Sequence, residues 1–323
     1  MKNVFVNVKT TFTRNVALPG LFVLITLSIL CALFPYRTND ILMAVQSSIY
    51  TNLSWVYIFL ISFFFIFLMI LAFTKIGKIR LGPDNSNPQY SFFSWISMLF
   101  AAGMGIGLMY FGVAEPMSHF VNPALPHTLQ PAKEAQVATF FHWGLHAWAV
   151  FAIMGLILAY FSFRYRLPLA IRSGLYPLLK EKINGPIGDV VDIFALVSTF
   201  FGIVTSLGFG VVQLNAGLVH LGIVDESSFL FQSIIIMLVS LVAVGSAVAG
   251  VNKGVKILSE LNIVLAVLLL IFVLVLGPTT FLLSAFSEGI GNYINRFADL
   301  TFNTFAFEKD GRGWFTAKSE AKR

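Results

Sequence analysis

The 323-residue sequence is 57% hydrophobic and only 11% charged, with a mean hydropathy of +0.84, so its apolar mass exceeds what a water-soluble core can enclose and lipid must act as solvent. That excludes a soluble enzyme, and the net charge of +6 does not support a nucleic-acid partner, because the Lys and Arg residues stand in short clusters between apolar runs. The single cysteine, Cys31, lies inside such a run and can form neither an internal disulfide nor a cysteine-based metal site.

A hydrocarbon core about 30 Å thick calls for about 20 helical residues. Seven uncharged windows near that length follow one another: Val16 to Phe34, Leu53 to Phe73, Phe92 to Val113, Ala138 to Phe161, Val190 to Leu221, Phe229 to Ala249 and Ile257 to Leu276. The first is long, begins after Arg14 and is followed by further spans, so it reads as a membrane helix and not as a cleaved leader. The fifth is too long for a perpendicular crossing and predicts a tilt, or a bend at Gly202, Gly208 or Gly210.

Basic residues orient the set, since short cytoplasmic loops carry the Lys and Arg excess. Lys2, Lys9 and Arg14 precede the first span, Lys75, Lys78 and Arg80 follow the second, Arg164, Arg166, Arg172, Lys180 and Lys182 follow the fourth, and Lys253 and Lys256 follow the sixth. The alternate loops hold only Arg37 and Lys133. A multi-pass inner-membrane protein with a cytoplasmic amino terminus is predicted, with everything after Leu276 outside. Past Pro278, Leu282, Phe286, Ile290, Tyr293, Phe297 and Leu300 recur at spacings of three and four among polar residues, which predicts an amphipathic helix on the outer membrane surface. The polar end, Ala317 to Arg323, is basic where the orientation rule disfavours it and reads as a chain interrupted before another span.

Within the third span, Gly103, Gly105 and Gly107 alternate through Ala101-Ala102-Gly103-Met104-Gly105-Ile106-Gly107. Each costs a helix about 1 kcal/mol relative to alanine, so the cluster needs a purpose. One is an unwound stretch whose carbonyls hold a cation and whose bare backbone admits a substrate. The other is a small-residue packing face through the Gly103/Gly107 pair. A phosphate-binding loop is excluded, because no strand and helix flank the glycines in water.

The fourth span opens Phe141-His142-Trp143-Gly144-Leu145-His146-Ala147-Trp148-Ala149-Val150-Phe151. On a continuous helix Trp143, Trp148 and Phe151 fall on one broad face, within about 140°. Such a face can surround a trimethylammonium group by cation–π attraction, or it can anchor the helix at the headgroups. His142 and His146, four apart, invite a membrane metalloenzyme, but this span offers no acidic or cysteine partner and two ligands are too few, so structural histidines are expected. Glu115 is expected at the outer interface, with Pro116 stopping or bending its helix, and Glu260 beside Lys256 one turn away. Thr199, Thr205 and Ser206 are hydroxyl candidates for a sodium ion, although such groups often bond their own backbone.

At these residues the sequence resembles the betaine/carnitine/choline transporter family. Gly103 to Gly107, continued by Leu108-Met109-Tyr110-Phe111-Gly112-Val113-Ala114-Glu115-Pro116, is similar to the family's third-helix glycine motif, and Phe141-His142-Trp143 with Trp148 to its fourth-helix aromatic signature. Arg172-Ser173-Gly174-Leu175-Tyr176-Pro177 and Asn184-Gly185-Pro186-Ile187-Gly188 resemble a connecting loop of choline and betaine members. The resemblance implies an all-α, leucine-transporter-like fold of two inverted five-helix repeats, uptake of a quaternary ammonium osmoprotectant coupled to sodium or protons with no cofactor, and trimeric assembly. It implies that Trp143, Trp148, Phe151 and the three glycines line the substrate path, and that Ala101 and Met104 carbonyls and the Thr199 hydroxyl hold cations. Ile203 stands where sodium-coupled members have a second threonine, whereas Gly107 stands where proton-coupled choline members tend to have aspartate, so both couplings stay open.

On this reading residues 1–15 form a cytoplasmic segment, 16–90 two leading helices, 91–277 the first repeat, 278–300 the external amphipathic helix, and 301–323 a polar tail where an eighth helix would begin. A chain interrupted there is expected not to transport alone. A regulatory or assembly subunit of full-length relatives is the alternative.

Overall fold

The computed structural model describes residues 14–123 and 129–304, apart from the side chains at 102–104, 106 and 108. Lys2, Lys9 and the tail from 305 onward lie outside the described residues.

Helix α1 (Arg14–Leu33) stops ahead of Pro35, which lacks the N–H to continue it and instead opens α2 (Pro35–Phe73) at its first turn. The loop expected between Phe34 and Leu53 is therefore helical. No glycine or further proline interrupts residues 36–73, so nothing in that polar stretch breaks the helix that Pro35 starts. A 3₁₀ turn, Lys75–Lys78, closes the far end of α2.

The third predicted span is divided. Helix α3 (Phe92–Ile106) passes into a π turn, Gly107–Phe111, and then into α4 (Gly112–Val121). The stretch from Ala101 to Ile106 is thus wound and not open, and Pro116 sits inside α4 without ending it. The fourth span is broken too: α5 (Pro131–Trp143) and α6 (Leu145–Ala159) meet at Gly144, whose φ of −87° and ψ of −145° are far from helical, and a π turn, Tyr160–Arg164, ends α6. Among the described residues six helical stretches are long and apolar enough to cross a membrane, and the divided third span adds the shorter apolar helix Phe92–Ala101.

A connecting loop holds the short α7 (Tyr176–Leu179) between two 3₁₀ turns. Helix α8 (Pro186–His220) follows as one helix of 35 residues that none of its glycines interrupts. At 1.5 Å per residue it is about 52 Å long, so it must tilt or project beyond a core about 30 Å thick. The chain ends in α9 (Phe229–Ala249), a π turn (Val251–Val255), α10 (Lys256–Leu276), α11 (Thr279–Asn295) and α12 (Phe297–Phe302).

Packing pairs α1 with α8, α2 with α6, α3 with α10 and α4 with α5. Outward side chains are apolar: Phe22, Phe73 and Phe229 are 71%, 83% and 87% exposed, which only a hydrocarbon solvent tolerates throughout a bundle. The described core cluster, Val137, Ala138, Tyr293 and Leu300, is small and sits where α11 and α12 cross α5. Arg296 reaches Glu134 at 2.5 Å, Lys133 pairs with Glu288, and the Gln136 amide donates to the Ala285 carbonyl at 3.0 Å. The amphipathic helix thus turns Tyr293 and Leu300 into protein, while Phe286 and Ile290 stay exposed as expected of a surface helix.

The connecting loop hangs on Arg172. Its guanidinium is buried, pairs with Asp189 at 2.8 Å and with Asp192, and the two carboxylates beside it outweigh burial and raise its pKa. Arg172→Ala is expected to cost about 3 kcal/mol, because it strands two carboxylates, and to lower the thermal midpoint of the detergent-solubilised protein clearly. Asp84→Asn serves as the contrast. Asp84 is exposed, and its Arg164 partner holds its carboxyl below the usual range, but water screens that pair, so the midpoint should not move measurably at neutral pH.

Candidate functional site

The site forms where the two interrupted helices face each other. Gly107, first residue of the π turn, has no side chain to hold the indole of Trp143 off: a Cβ there would stand 2.7 Å from Trp143 Cζ3 and 2.8 Å from Cη2. Phe111, at the other end of the turn, lies 6.0 Å from the Trp143 ring. The π turn itself is held from α8. Gln213 Nε2 donates to the Met109 carbonyl at 2.6 Å, and Phe209 packs against Tyr110 at 5.5 Å and Phe111 at 5.6 Å. A π turn widens the helix and frees a carbonyl, and Gln213 supplies the missing donor.

Trp143 is fixed from its polar edge by Glu115. Its indole N–H donates to Glu115 Oε2, while Oε1 lies 2.8 Å from His142 Nδ1 and 3.4 Å from His119 Nε2. Glu115 is 6% exposed and His119 2%, so the carboxylate is enclosed between α4 and α5. Glu115 therefore points into protein and does not reach outward as snorkelling would require. The three donors that replace water make its burial tolerable. An ionisable residue within a few positions of an apolar span is the signal that marks such a group.

The aromatic face does not form as one helix would present it. Because Gly144 breaks the helix, Trp148 and Phe151 belong to α6 and Trp143 to α5. A Cβ on Gly144 would come within 2.3 Å of the Phe140 carbonyl, so the break requires glycine. Trp148 packs on Phe100 of α3 at 5.3 Å and on Phe151 at 5.8 Å. Trp148 thus meets α3 at Phe100, and Trp143 meets the π turn that continues it about two turns on, at Gly107. Phe151 is exposed and also lines a cavity of about 330 Å³ on the α2 side of α6, with Ile58, Ser62, His146 and Thr301.

The remaining candidates are dispersed. Gly105 faces open space, whereas the surroundings of Gly103 and Met104 lie outside the described residues. Ala101 lies within the wound part of α3. Thr199 is exposed on α8, and its hydroxyl donates to the Ala195 carbonyl at 2.8 Å. Among the described residues no hydrogen bond joins it to α3. Glu260 keeps its Lys256 neighbour at 3.9 Å but also accepts from Ser94 of α3 at 2.5 Å.

His142 and His146 part company at the Gly144 break. His142 turns to Glu115, supplying the acidic partner from another helix that its own span lacks, while His146 is buried against Phe141 and bonds Thr301 Oγ1 at 2.9 Å. Both Glu115 oxygens are taken by N–H donors, and no group of three His, Cys, Asp or Glu side chains among the described residues is placed to hold a metal. The metalloenzyme alternative therefore has no structural support.

Long apolar helices around an interrupted, glycine-opened pair define a multi-pass α-helical membrane protein. Residues 15–319 match the family described as BCCT, betaine/carnitine/choline family transporter, and the chain belongs to that family. It is 49% identical to an uncharacterized transporter of Haemophilus influenzae over 95% of this chain and 46% of that one. It is also 49% identical to a glycine betaine transporter of Acinetobacter baylyi over 81% of this chain and 40% of the other. To the high-affinity choline transport protein of Escherichia coli K12 it is 46% identical over 79% and 38% respectively. The chain thus spans less than half the length of these relatives.

Proposed function

We propose that this chain forms one wall of the substrate path of a secondary transporter for quaternary ammonium osmoprotectants, choline or glycine betaine, in the inner membrane with its amino terminus cytoplasmic. The observation that carries the reading is the Trp143 indole, held edge-on by Glu115 and laid over side-chain-free Gly107. A methylated ammonium has no N–H to donate, so hydrogen-bond acceptors cannot single it out. Desolvated aromatic faces can, at up to about 2 kcal/mol for each ring. Trp143 and Trp148 supply two faces along α3, with Phe100 and Phe111 beside them. Relatives named for glycine betaine and for choline support this substrate class.

Coupling to sodium or to protons completes the proposal. The Ala101 and Met104 carbonyls and the Thr199 hydroxyl are the candidate cation ligands. Binding there requires a local opening of α3, a conformational step open to measurement, whereas the Thr199 oxygen keeps its lone pairs for a cation while it donates to Ala195.

The test is equilibrium binding of radiolabelled choline and glycine betaine to the purified protein, with Trp143→Leu as control. Loss of one ring is expected to weaken binding about tenfold or more. Unchanged affinity in that variant removes Trp143 from the path.

A further inference from the structure

The helix broken at Gly144 is held on both limbs by one element, the amphipathic pair α11 and α12. On the α5 limb Arg296 grips Glu134 and the Gln136 amide reaches the Ala285 carbonyl. The buried Tyr293 lies against the break itself, where a Cβ on Gly144 would stand 3.0 Å from its hydroxyl oxygen. On the α6 limb His146 Nε2 meets Thr301 Oγ1 at 2.9 Å, with Phe297 packed against the imidazole at 4.9 Å.

The direction of that last bond follows from its neighbour. The Thr301 hydroxyl donates to the Phe297 carbonyl at 2.5 Å, so Oγ1 meets His146 as an acceptor and Nε2 carries the hydrogen. Both side chains are buried, and Nδ1 has no partner among the described residues, so the imidazole is oriented by Thr301 and by the rings of Phe65, Phe141 and Phe297. Thr301 is anchored in turn, because the Ser62 hydroxyl of α2 donates to its carbonyl. His146 lies in the first turn of α6, and the Trp148 N–H closes that turn on the Gly144 carbonyl at 3.3 Å. Two positions apart on a helix is about 200°, so His146 faces α12 and α2 while Trp148 faces Phe100 of α3. The start of α6 is thus gripped from opposite sides, and any rotation about its axis moves both side chains together.

We propose that the bond between His146 and Thr301 is a positioning contact for amine recognition: it fixes the rotation of α6, and with it the placement of Trp148 relative to Trp143. The inference rests on the reading that these two indoles line the amine path. Trp143 has its own hold in Glu115 of α4, so the two aromatic faces are set independently, one from α4 and the other from the amphipathic helix.

The test is the ¹⁹F spectrum of the full chain labelled with 5-fluorotryptophan, its resonances assigned by Trp143→Phe and Trp148→Phe, together with choline affinity. Thr301→Val keeps the shape of the side chain and removes the acceptor. It should displace the Trp148 resonance, leave that of Trp143 in place and weaken choline binding about tenfold, the loss expected when one ring face is misplaced. Thr301→Ser keeps the acceptor and should hold both resonance and affinity at wild-type values. His146→Leu removes the donor from the other side and should displace the same resonance. A bond that serves stability alone predicts a different pattern, a lower thermal midpoint with the Trp148 resonance of the folded protein unmoved. That pattern, an equal displacement of both indoles in Thr301→Val, or a serine variant that behaves as valine does would each overturn the proposal. The spectra are taken without amine, so a failure of the brace shows there and a failure of the path reading shows in the affinity.

Discussion

Glu115→Leu is expected to weaken binding of choline or glycine betaine sharply while leaving the long membrane helices formed. The carboxylate accepts from the Trp143 indole and from His142 at once, with His119 at the edge of reach, all in a nearly closed space. Leucine fills a similar volume but accepts nothing. An unsatisfied buried donor costs about 1–3 kcal/mol, and Trp143 can recover that only by turning its N–H elsewhere. The face it offers along Gly107 turns with it. A loss of 1.4 kcal/mol already means tenfold in Kd, so a weakening of about five- to 150-fold is expected from Trp143 alone. Glu115→Gln should fall between the two, since its single amide oxygen can still accept from Trp143 while its NH₂ opposes the donors on the histidine side. Two measurements separate positioning from general damage. Fluorescence titration reports Kd, and the ¹⁹F resonance of 5-fluorotryptophan at position 143, assigned by Trp143→Phe, reports the ring's surroundings. A leucine variant with wild-type Kd and an unmoved resonance would falsify the role assigned to Glu115.

Much of this site was legible in the sequence, and what was not has a local cause. The glycines of α3 and the aromatic residues of the fourth span announced themselves by composition, and the pairing of Gly107 with Trp143 gives the cluster a purpose that neither of the two sequence readings held. The cavity-lining unwound stretch is wound, and at Gly107 the packing partner is an indole instead of a helix backbone. The projection of Trp143, Trp148 and Phe151 onto one face failed at a single residue. It assumed 100° per residue through Gly144, where the backbone leaves the helical region. Glycine inside an apolar run warned of a break, but the mostly apolar residues on either side argued for continuity, and hydropathy does not see dihedral angles. The same blindness placed a loop where α2 runs, because the stretch between the first two apolar windows lacks hydropathy although no residue there opposes a helix. Contacts between helices, such as His142 with Glu115 or Gln213 with Met109, lie at sequence separations of 27 and 104 and carry no periodic signal at all.

Gly107→Ala should disrupt the site by a route that tests the same geometry from the other side. The added methyl would lie 2.7 and 2.8 Å from two ring carbons of Trp143, closer than real Cβ contacts come, so one of the two must move. A ring edge is ordinarily a movable neighbour. Here the opposite edge is tied to Glu115 and Phe111 flanks the plane, so displacement costs the indole its hydrogen bond or the π turn its shape. Overpacking of this kind costs about 1–3 kcal/mol, which corresponds to roughly five- to a hundredfold in amine affinity if the strain is relieved by moving the ring. Gly105→Ala is the matched contrast: its Cβ would meet nothing within 4 Å, and alanine should stiffen the helix by about 1 kcal/mol without displacing Trp143. The deciding measurement is a double-mutant cycle. With Trp143→Leu in place the clash has no partner, so adding Gly107→Ala should cost little in stability or residual binding, and the two effects should be strongly non-additive. Strict additivity would mean that glycine is needed at 107 for the backbone of the π turn and not for the indole above it.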